Sequence, residues 1–425
     1  TQTGLTKVLN GRIPTEGELN LLDNVFPKEF TDAILSKRTI LKKALDAGIQ
    51  LANVPRSIMS SFDLSAPFRQ GLYLINHPKQ FFGAFKDMFK AFASEGAYND
   101  IVKEIATRPT YKLMEKNGLA LTDVKRFLTN REEQFMSGWA EKIPVIGKVV
   151  KASGRAYTAF LDKLRADVFD KLIAGAEKAG RNIAKEPDLV KQIADFVNTF
   201  SGRGNIKSLQ KGAQLLNGIF FSPRLAMSRV KILFSPLFYA KADPFVRKEA
   251  LKSLLTVTGA GMTMLGLASA GGAKVGTDPR SSDFGKIIIG KTRIDIWGGL
   301  QQYVRMAAQL ITGQYVSSTS GKTTTLGEGY KPLTRFDILL RQIESKEAPV
   351  ASFISDLLKG QDYTGQPISL VNEVVQRFIP MALQDMYDIA STDPELLPVE
   401  ALGFFGVGLQ TYLPTKTKSG NRFNF

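Results

Sequence analysis

The chain has no cysteine and a single histidine, His77, in 425 residues. Without cysteine there is no disulfide framework and no thiolate metal site. With one histidine there is no multi-histidine zinc centre. The start, Thr1-Gln-Thr-Gly, lacks the charged-then-apolar run of a signal peptide and lacks an initiator methionine. It reads as a processed product or as the end of a longer polypeptide. No repeat of fixed period runs through the chain. Zero cysteine also suits a protein that crosses compartments of different redox state.

What is present is positive charge and apolar patterning. The formal net charge is +16, with a normal apolar fraction of 44%, so the chain can bury a sizeable core and form two or three domains. Residues 151–300 carry 24 Lys/Arg against 12 Asp/Glu and hold most of the excess. An acidic partner such as DNA, RNA or anionic lipid is therefore sought in that third. The candidate phosphate contacts are Arg155, Lys163, Arg165, Lys171, Arg203, Lys207, Lys211, Arg224, Arg229 and Lys231. Phosphate binding needs cations without needing a particular sequence. The plainer account of the same residues is a solvated helix surface.

Periodicity predicts an all-α protein, an elongated multi-helix array with one short β-hairpin near 285–297. Thr31 caps a first helix, and Thr122-Asp123 opens another. Phe81, Phe82, Phe85, Met88, Phe89 and Phe92 form an aromatic stripe interleaved with Lys79, Lys86 and Lys90. Such a stripe is core first, and a membrane-surface helix second. From about Val149 to Ala179, Tyr157, Phe160, Leu161, Leu164, Val168, Leu172 and Ile173 recur at helical spacing, and Gly180 marks the stop. Asp243-Pro244 is a cap followed by proline in the first turn. Around Gly290-Lys291, two β-branched runs, Lys286–Ile289 and Thr292–Ile296, suggest a hairpin. Ser317–Lys331 reads as a loop. The resulting regions are 1–143, 144–275 (basic, ending in the Gly-rich apolar helix) and 276–425.

Residues 253–273 contain no charge and are flanked by Lys252 and Lys274. The length suits a bilayer span. The many small residues suit close helix packing, in a membrane or in a soluble bundle. The buried-helix reading comes first, and a helix that enters a bilayer only after a rearrangement comes second. The residues that would meet lipid or a packed neighbour are Leu254, Leu255, Val257, Gly259, Gly261, Met262, Met264, Leu265, Gly266 and Leu267.

Reactive constellations are missing. Ser318–Thr323 mimics the end of a phosphate-binding loop, but Val316 stands where its first glycine belongs and a helix precedes it. Glu132-Glu133, and Asp162 with Asp167, are carboxylate pairs with no sign of a saccharide cleft around them. His77 precedes Pro78 at a helix start; it could sense pH, but the first reading of a lone histidine there is incidental. No catalytic residue, metal ligand or cofactor is expected, and the chain is read as non-enzymatic.

Several motifs carry a resemblance. The longest is the stretch Gly276–Gly313. Others are Asp63–Gly71, Arg131–Phe135, Ala152–Tyr157, Lys163–Asp167, Phe221–Arg224 and Phe404–Tyr412. Over most of its length the chain resembles the helical C-terminal region of large phage polyvalent proteins and internal virion proteins. That resemblance implies a phage virion internal or ejection protein. It would sit in the capsid or tail channel, reach the host cell envelope after ejection, and contribute to a DNA-delivery conduit. The implied partners are further copies in a homo-oligomer, portal, tail or other ejection proteins, genomic DNA and the host membrane. The alternative it implies is a structural attachment module of a polyvalent protein whose enzymes lie upstream.

Overall fold

The computed structural model describes residues 64–122, 146–204, 223–318, 320–328, 333–344, 389–391 and 394–411. All of them belong to the unit that begins at Val54. The helix expected from Thr31, the one after Asp123, the Arg131–Phe135 motif, Glu132-Glu133, Lys207 and Lys211 lie outside the described residues. Among the described residues 64% are helical and 9% lie in strands, so the protein is mainly α with a small β element.

A π turn at Ala66–Gln70 and a 3-10 turn at Gly71–Leu74 lead into α1 (Pro78–Ala93), followed by α2 (Glu95–Ala106) and α3 (Tyr111–Lys116). The central element is α4 (Ile146–Lys178). All seven apolar residues expected on its inner face are buried, because steps of three and four place them on one stripe. After α4 the chain turns at Gly180, which has φ +81°, and Arg181 N–H donates back to Ala176 O. That left-handed residue stops the helix at little steric cost. Next come α5 (Pro187–Phe200), α6 (Pro223–Leu233), α7 (Ser235–Phe238) and α8 (Pro244–Ala270). The Asp243 side chain accepts from Phe245 N–H and Pro244 occupies the first turn of α8, as the capping pattern predicts.

The aromatic stripe of α1 divides. Phe81 and Met88 are fully buried, and Phe81 meets Phe160 of α4 edge-on at 5.7 Å, while Phe82 and Phe89 remain about half exposed. One apolar core runs from Ala66 to Leu300 and joins residues on both sides of the boundaries expected near 143 and 275.

The β element is larger than one hairpin. β2 (Ile287–Ile289) and β3 (Thr292–Asp295) pair antiparallel around Gly290-Lys291, with Ile289 opposite Thr292. They are flanked by β1 (Lys274–Val275) and, on the β3 side, by β6 (Gly408–Thr411), in the order β1-β2-β3-β6. Ile294 and Leu409 pair across β3 and β6 and close a second small core with Ile389 and Leu396. Helix α9 (Gln301–Thr312) follows β3. β4 (Gln314–Val316) then pairs with β5 (Thr323–Thr325), so the stretch expected to be a loop from Ser317 contains a strand. The last residue of the phosphate-loop mimic, Thr323, thus begins a strand, not the helix that phosphate binding requires. Beyond it lie α10 (Arg335–Glu344) and α11 (Leu397–Phe404).

Motifs far apart in sequence meet. Phe68 N–H donates to Phe405 O at 2.9 Å, and Phe405 packs on Phe85 and Phe89. Gly406 has φ +103°, and a Cβ there would lie 2.4 Å from Ser65 O. Residues 404–411 therefore anchor on residues 65–69 and supply a strand to the sheet.

Candidate functional site

Helix α8 is the candidate. Its sequence alternates small and large apolar residues without a charge after Lys252, and the fold buries only a narrow stripe of it. Val246, Ala250, Ser253, Val257, Gly261 and Leu265 face the core. In the 18-residue window most apolar in character only 22% is buried. Leu255 is 61% exposed, Met262 61%, Met264 49% and Leu267 68%. The buried-helix expectation is corrected accordingly: of the ten residues singled out, Val257, Gly261 and Leu265 are buried. Leu254 is half-buried, and Gly259 and Gly266 lie open with the four large apolar residues. Large apolar side chains exposed on more than one face of a helix mark an interaction surface or a membrane contact.

The segment Gly276–Gly313 holds α8 in place. A Cβ on Gly261 would lie 2.4 Å from the Trp297 ring, so glycine is what lets the indole seat against the helix. Trp297 Nε1–H donates to Gly285 O at 2.7 Å, and Trp297 O accepts from the Tyr73 hydroxyl at 2.8 Å. Gly298 and Gly299 take φ +56° and +82°. Gly298 O accepts from Arg229 Nε at 2.9 Å. On α9, buried Gln301 and Gln309 donate to Ser282 O and Arg280 O. The conspicuous residues of the motif are thus spent on fastening a loop, a sheet and two helices together.

Between α8, the 275–285 loop and the start of α9 lies a cavity of about 820 Å³. Leu255, Met262 and Gly266 line it from α8, and Phe284, Trp297 and Val304 from the other side. No acidic or basic side chain lines it. Burial raises the Tyr73 phenol above its ordinary value and pushes Tyr303 up to about 12, so both stay protonated at neutral pH and supply no base. Among the described residues no group of three or more His, Cys, Asp or Glu could hold a metal ion.

The cations expected to meet phosphate do not form one open face. Arg165 is fully buried. Its Nε donates to Ser201 Oγ at 2.7 Å and its other nitrogens to Ala120 O and Ser201 O. Arg229 is fully buried as well. It donates to Gly298 O, Arg69 O and Ser228 Oγ and lies 4.9 Å from the Tyr73 ring centre. Arg203 is buried. These three are corrected from candidate phosphate contacts to interior residues: the Arg165 and Arg229 guanidiniums are taken up by carbonyls, and burial keeps Arg203 from the surface. Arg155 caps Ala91 O and Phe92 O at the end of α1. Lys163 pairs with Glu104 and Asp167. Arg224 and Lys231 are half-buried, and Lys171 is exposed. Asp167 is also held by Arg108, and Asp162 accepts from Thr122 N–H, so that carboxylate pair is structural.

His77, read from the sequence as incidental, is 2% exposed. Its Nε2 lies 3.8 Å from Glu249 Oε2, joining the start of α1 to α8. The carboxylate favours an imidazolium, but Glu249 already pairs with Lys252 at 2.8 Å. Burial, reinforced by Lys171 and Lys252, wins and lowers the His77 pKa to about 4. The unfolded chain protonates His77 near the ordinary 6.5. The contribution to stability is therefore complete above about pH 6.5 and is lost as pH falls toward 4, by about 3 kcal/mol. Urea unfolding at pH 7.5 and pH 4.5 should show a smaller acid loss in His77→Phe than in the parent. Equal losses would remove His77 from the account. Pro78 starts the helix and places His77 at its cap position, as the sequence indicates, while the partner Glu249 is brought to it only by the fold.

No family model, curated protein or solved structure matches this chain.

Proposed function

We propose that this chain is a non-enzymatic internal virion or ejection protein of a phage, and that α8 is the element that meets host-envelope lipid during DNA delivery. The observation that carries this reading is α8 itself, a helix long enough for a bilayer, without a charge after Lys252, that exposes Leu255, Met262, Met264 and Leu267. Lys248 and Lys252 at its start suit an anionic surface. The motifs from Asp63 to Tyr412 support the phage setting by resemblance. The net charge of +16 supports genomic DNA as a partner. The small residues Gly259 and Gly266 on the open face suit close approach of a second copy in a homo-oligomer.

Flotation of the full chain with phosphatidylglycerol-containing vesicles tests the lipid step. The chain should rise with the vesicles, and Leu255→Asp with Met262→Asp should weaken partition at least about tenfold, because each buried large apolar side chain contributes roughly 1.5–3 kcal/mol. Failure to float at low salt, or flotation unchanged by the pair, would remove α8 from the role. The virion setting is tested separately, by quantitative peptide mass spectrometry of purified particles before and after triggered genome release. Peptides present before and lost after are the expected result, and peptides retained in emptied particles would contradict ejection.

A further inference from the structure

The cavity beside α8 can be assigned a ligand class. We infer that it is a discrete site for one acyl chain of an anionic phospholipid, with the head group at the Lys248 end of α8.

Size comes first. At about 820 Å³ the cavity lies within the range of small-molecule sites, about 300–1,000 Å³. Its α8 wall runs from Leu254 to Ser269, about 22 Å at 1.5 Å per residue. One leaflet of a bilayer is about 15 Å of hydrocarbon, so an acyl chain fits along the helix.

Chemistry comes second. The strongest donors in the wall are already used on backbone carbonyls. The Tyr73 hydroxyl bonds Trp297 O, Trp297 Nε1–H bonds Gly285 O, and Gln301 Nε2–H bonds Ser282 O. The other polar side chains in the wall are Thr258, Ser269 and Thr277, too few to match the many polar groups of a nucleotide or sugar, whose burial without partners is costly. A methylene chain brings none.

Charge comes third. Lys248, Leu251, Leu255, Thr258 and Met262 follow one another at steps of three and four, so they share one face of α8. Lys248 and Leu251 are exposed, and Leu255, Thr258 and Met262 line the cavity. A cation thus stands on the stripe that leads into an uncharged cavity, which is the pattern of an amphiphile with an anionic head. At the opposite end Lys274 is adjacent in strand β1 to Val275. Since Val275 lines the cavity, the alternation of a strand turns Lys274 away from it.

The site requires a single lipid molecule and not a bilayer, so it and the membrane role proposed above can fail separately. The chain has two tryptophans. Trp139→Phe leaves Trp297, in the cavity wall, as the sole reporter. The probe is a bromine-labelled lysophosphatidylglycerol kept below its micelle concentration, added to the full-length chain. The expected result is saturable quenching of Trp297 and one lipid per chain by native mass spectrometry. The phosphatidylcholine analogue should bind several-fold more weakly, and Lys248→Glu should abolish that preference. Gly266 lines the cavity and a Cβ there meets nothing within 4 Å, so Gly266→Phe attaches a ring at the cavity without displacing the backbone. It should weaken binding at least tenfold at an unchanged melting temperature, and Thr258→Phe provides a second filling variant should the first fold poorly. Quenching that rises linearly without saturating, or that both filling variants leave unchanged, overturns the assignment. So does a concentration-dependent dimer that Gly266→Phe dissociates while lipid leaves Trp297 unquenched, because the occupant is then a second copy.

Discussion

Arg229→Met is expected to destabilise the unit that begins at Val54 by about 3–5 kcal/mol, because it removes a buried cation from acceptors that stay buried. Arg229 lies in α6, and its guanidinium bonds Gly298 O in the turn after β3 and Arg69 O in the π turn before α1, while facing the Tyr73 ring. Burial lowers its pKa from the ordinary arginine value. Three parts of the chain more than sixty residues apart are thus held by one planar group. Methionine matches much of its length and none of its donors, so both carbonyls would lose their partner. Arg229→Lys should recover little, since an ammonium cannot address both carbonyls in the geometry of the fork. Urea unfolding of the two variants checks this. A loss below about 1 kcal/mol for Arg229→Met, or full recovery by lysine, would show that the fork is not what joins these segments.

Gly276→Ala is expected to cost about 3 kcal/mol or more, at the severe end of what overpacking produces. A Cβ at Gly276 would lie 1.8 Å from Asp283 O and 2.4 Å from the Asp283 carbonyl carbon. Those are backbone atoms, so no side-chain rotation relieves the clash. The loop must open, and with it the bond from Gly285 N–H to Gly276 O at 2.8 Å. Gly285 O is the acceptor for the Trp297 indole, so the damage should travel to the tryptophan that seats α8. Loss of stability should therefore be accompanied by a red shift of Trp297 emission in the Trp139→Phe background. A stable Gly276→Ala protein with unchanged emission would mean that the loop has room which the structure denies it.

These two positions show how differently the same fold was legible. Gly276 heads a motif conspicuous in the sequence, but its contact is with a backbone atom seven residues on, and nothing in the spelling Gly-Thr-Asp-Pro announces it. Arg229 looked like one more cation in a basic stretch. A one-dimensional pattern treats Arg165, Lys171 and Arg229 alike, whereas the fold encloses the two arginines and leaves the lysine outside. The difference lies in carbonyl acceptors supplied by Ala120, Ser201, Arg69 and Gly298, each at least 36 residues away. Helix α8 shows the same limit. Its length, cap and lack of charge were legible, yet its burial was not. How much of a helix is covered depends on what docks against it, and here only a narrow stripe is met.

What the sequence by itself determined is local. The stripe of α4, its stop at Gly180, the cap at Asp243-Pro244 and the turn at Gly290-Lys291 all follow from periodicity and backbone preference, which act within a few residues. The tertiary structure decided the rest. It paired β6 with β3 across more than a hundred residues and brought residues 404–411 onto residues 65–69. It also buried His77 against Glu249 and left an apolar cavity between α8 and Trp297. Those outcomes depend on which surfaces of distant segments fit together, and burial and desolvation exist only once they have met.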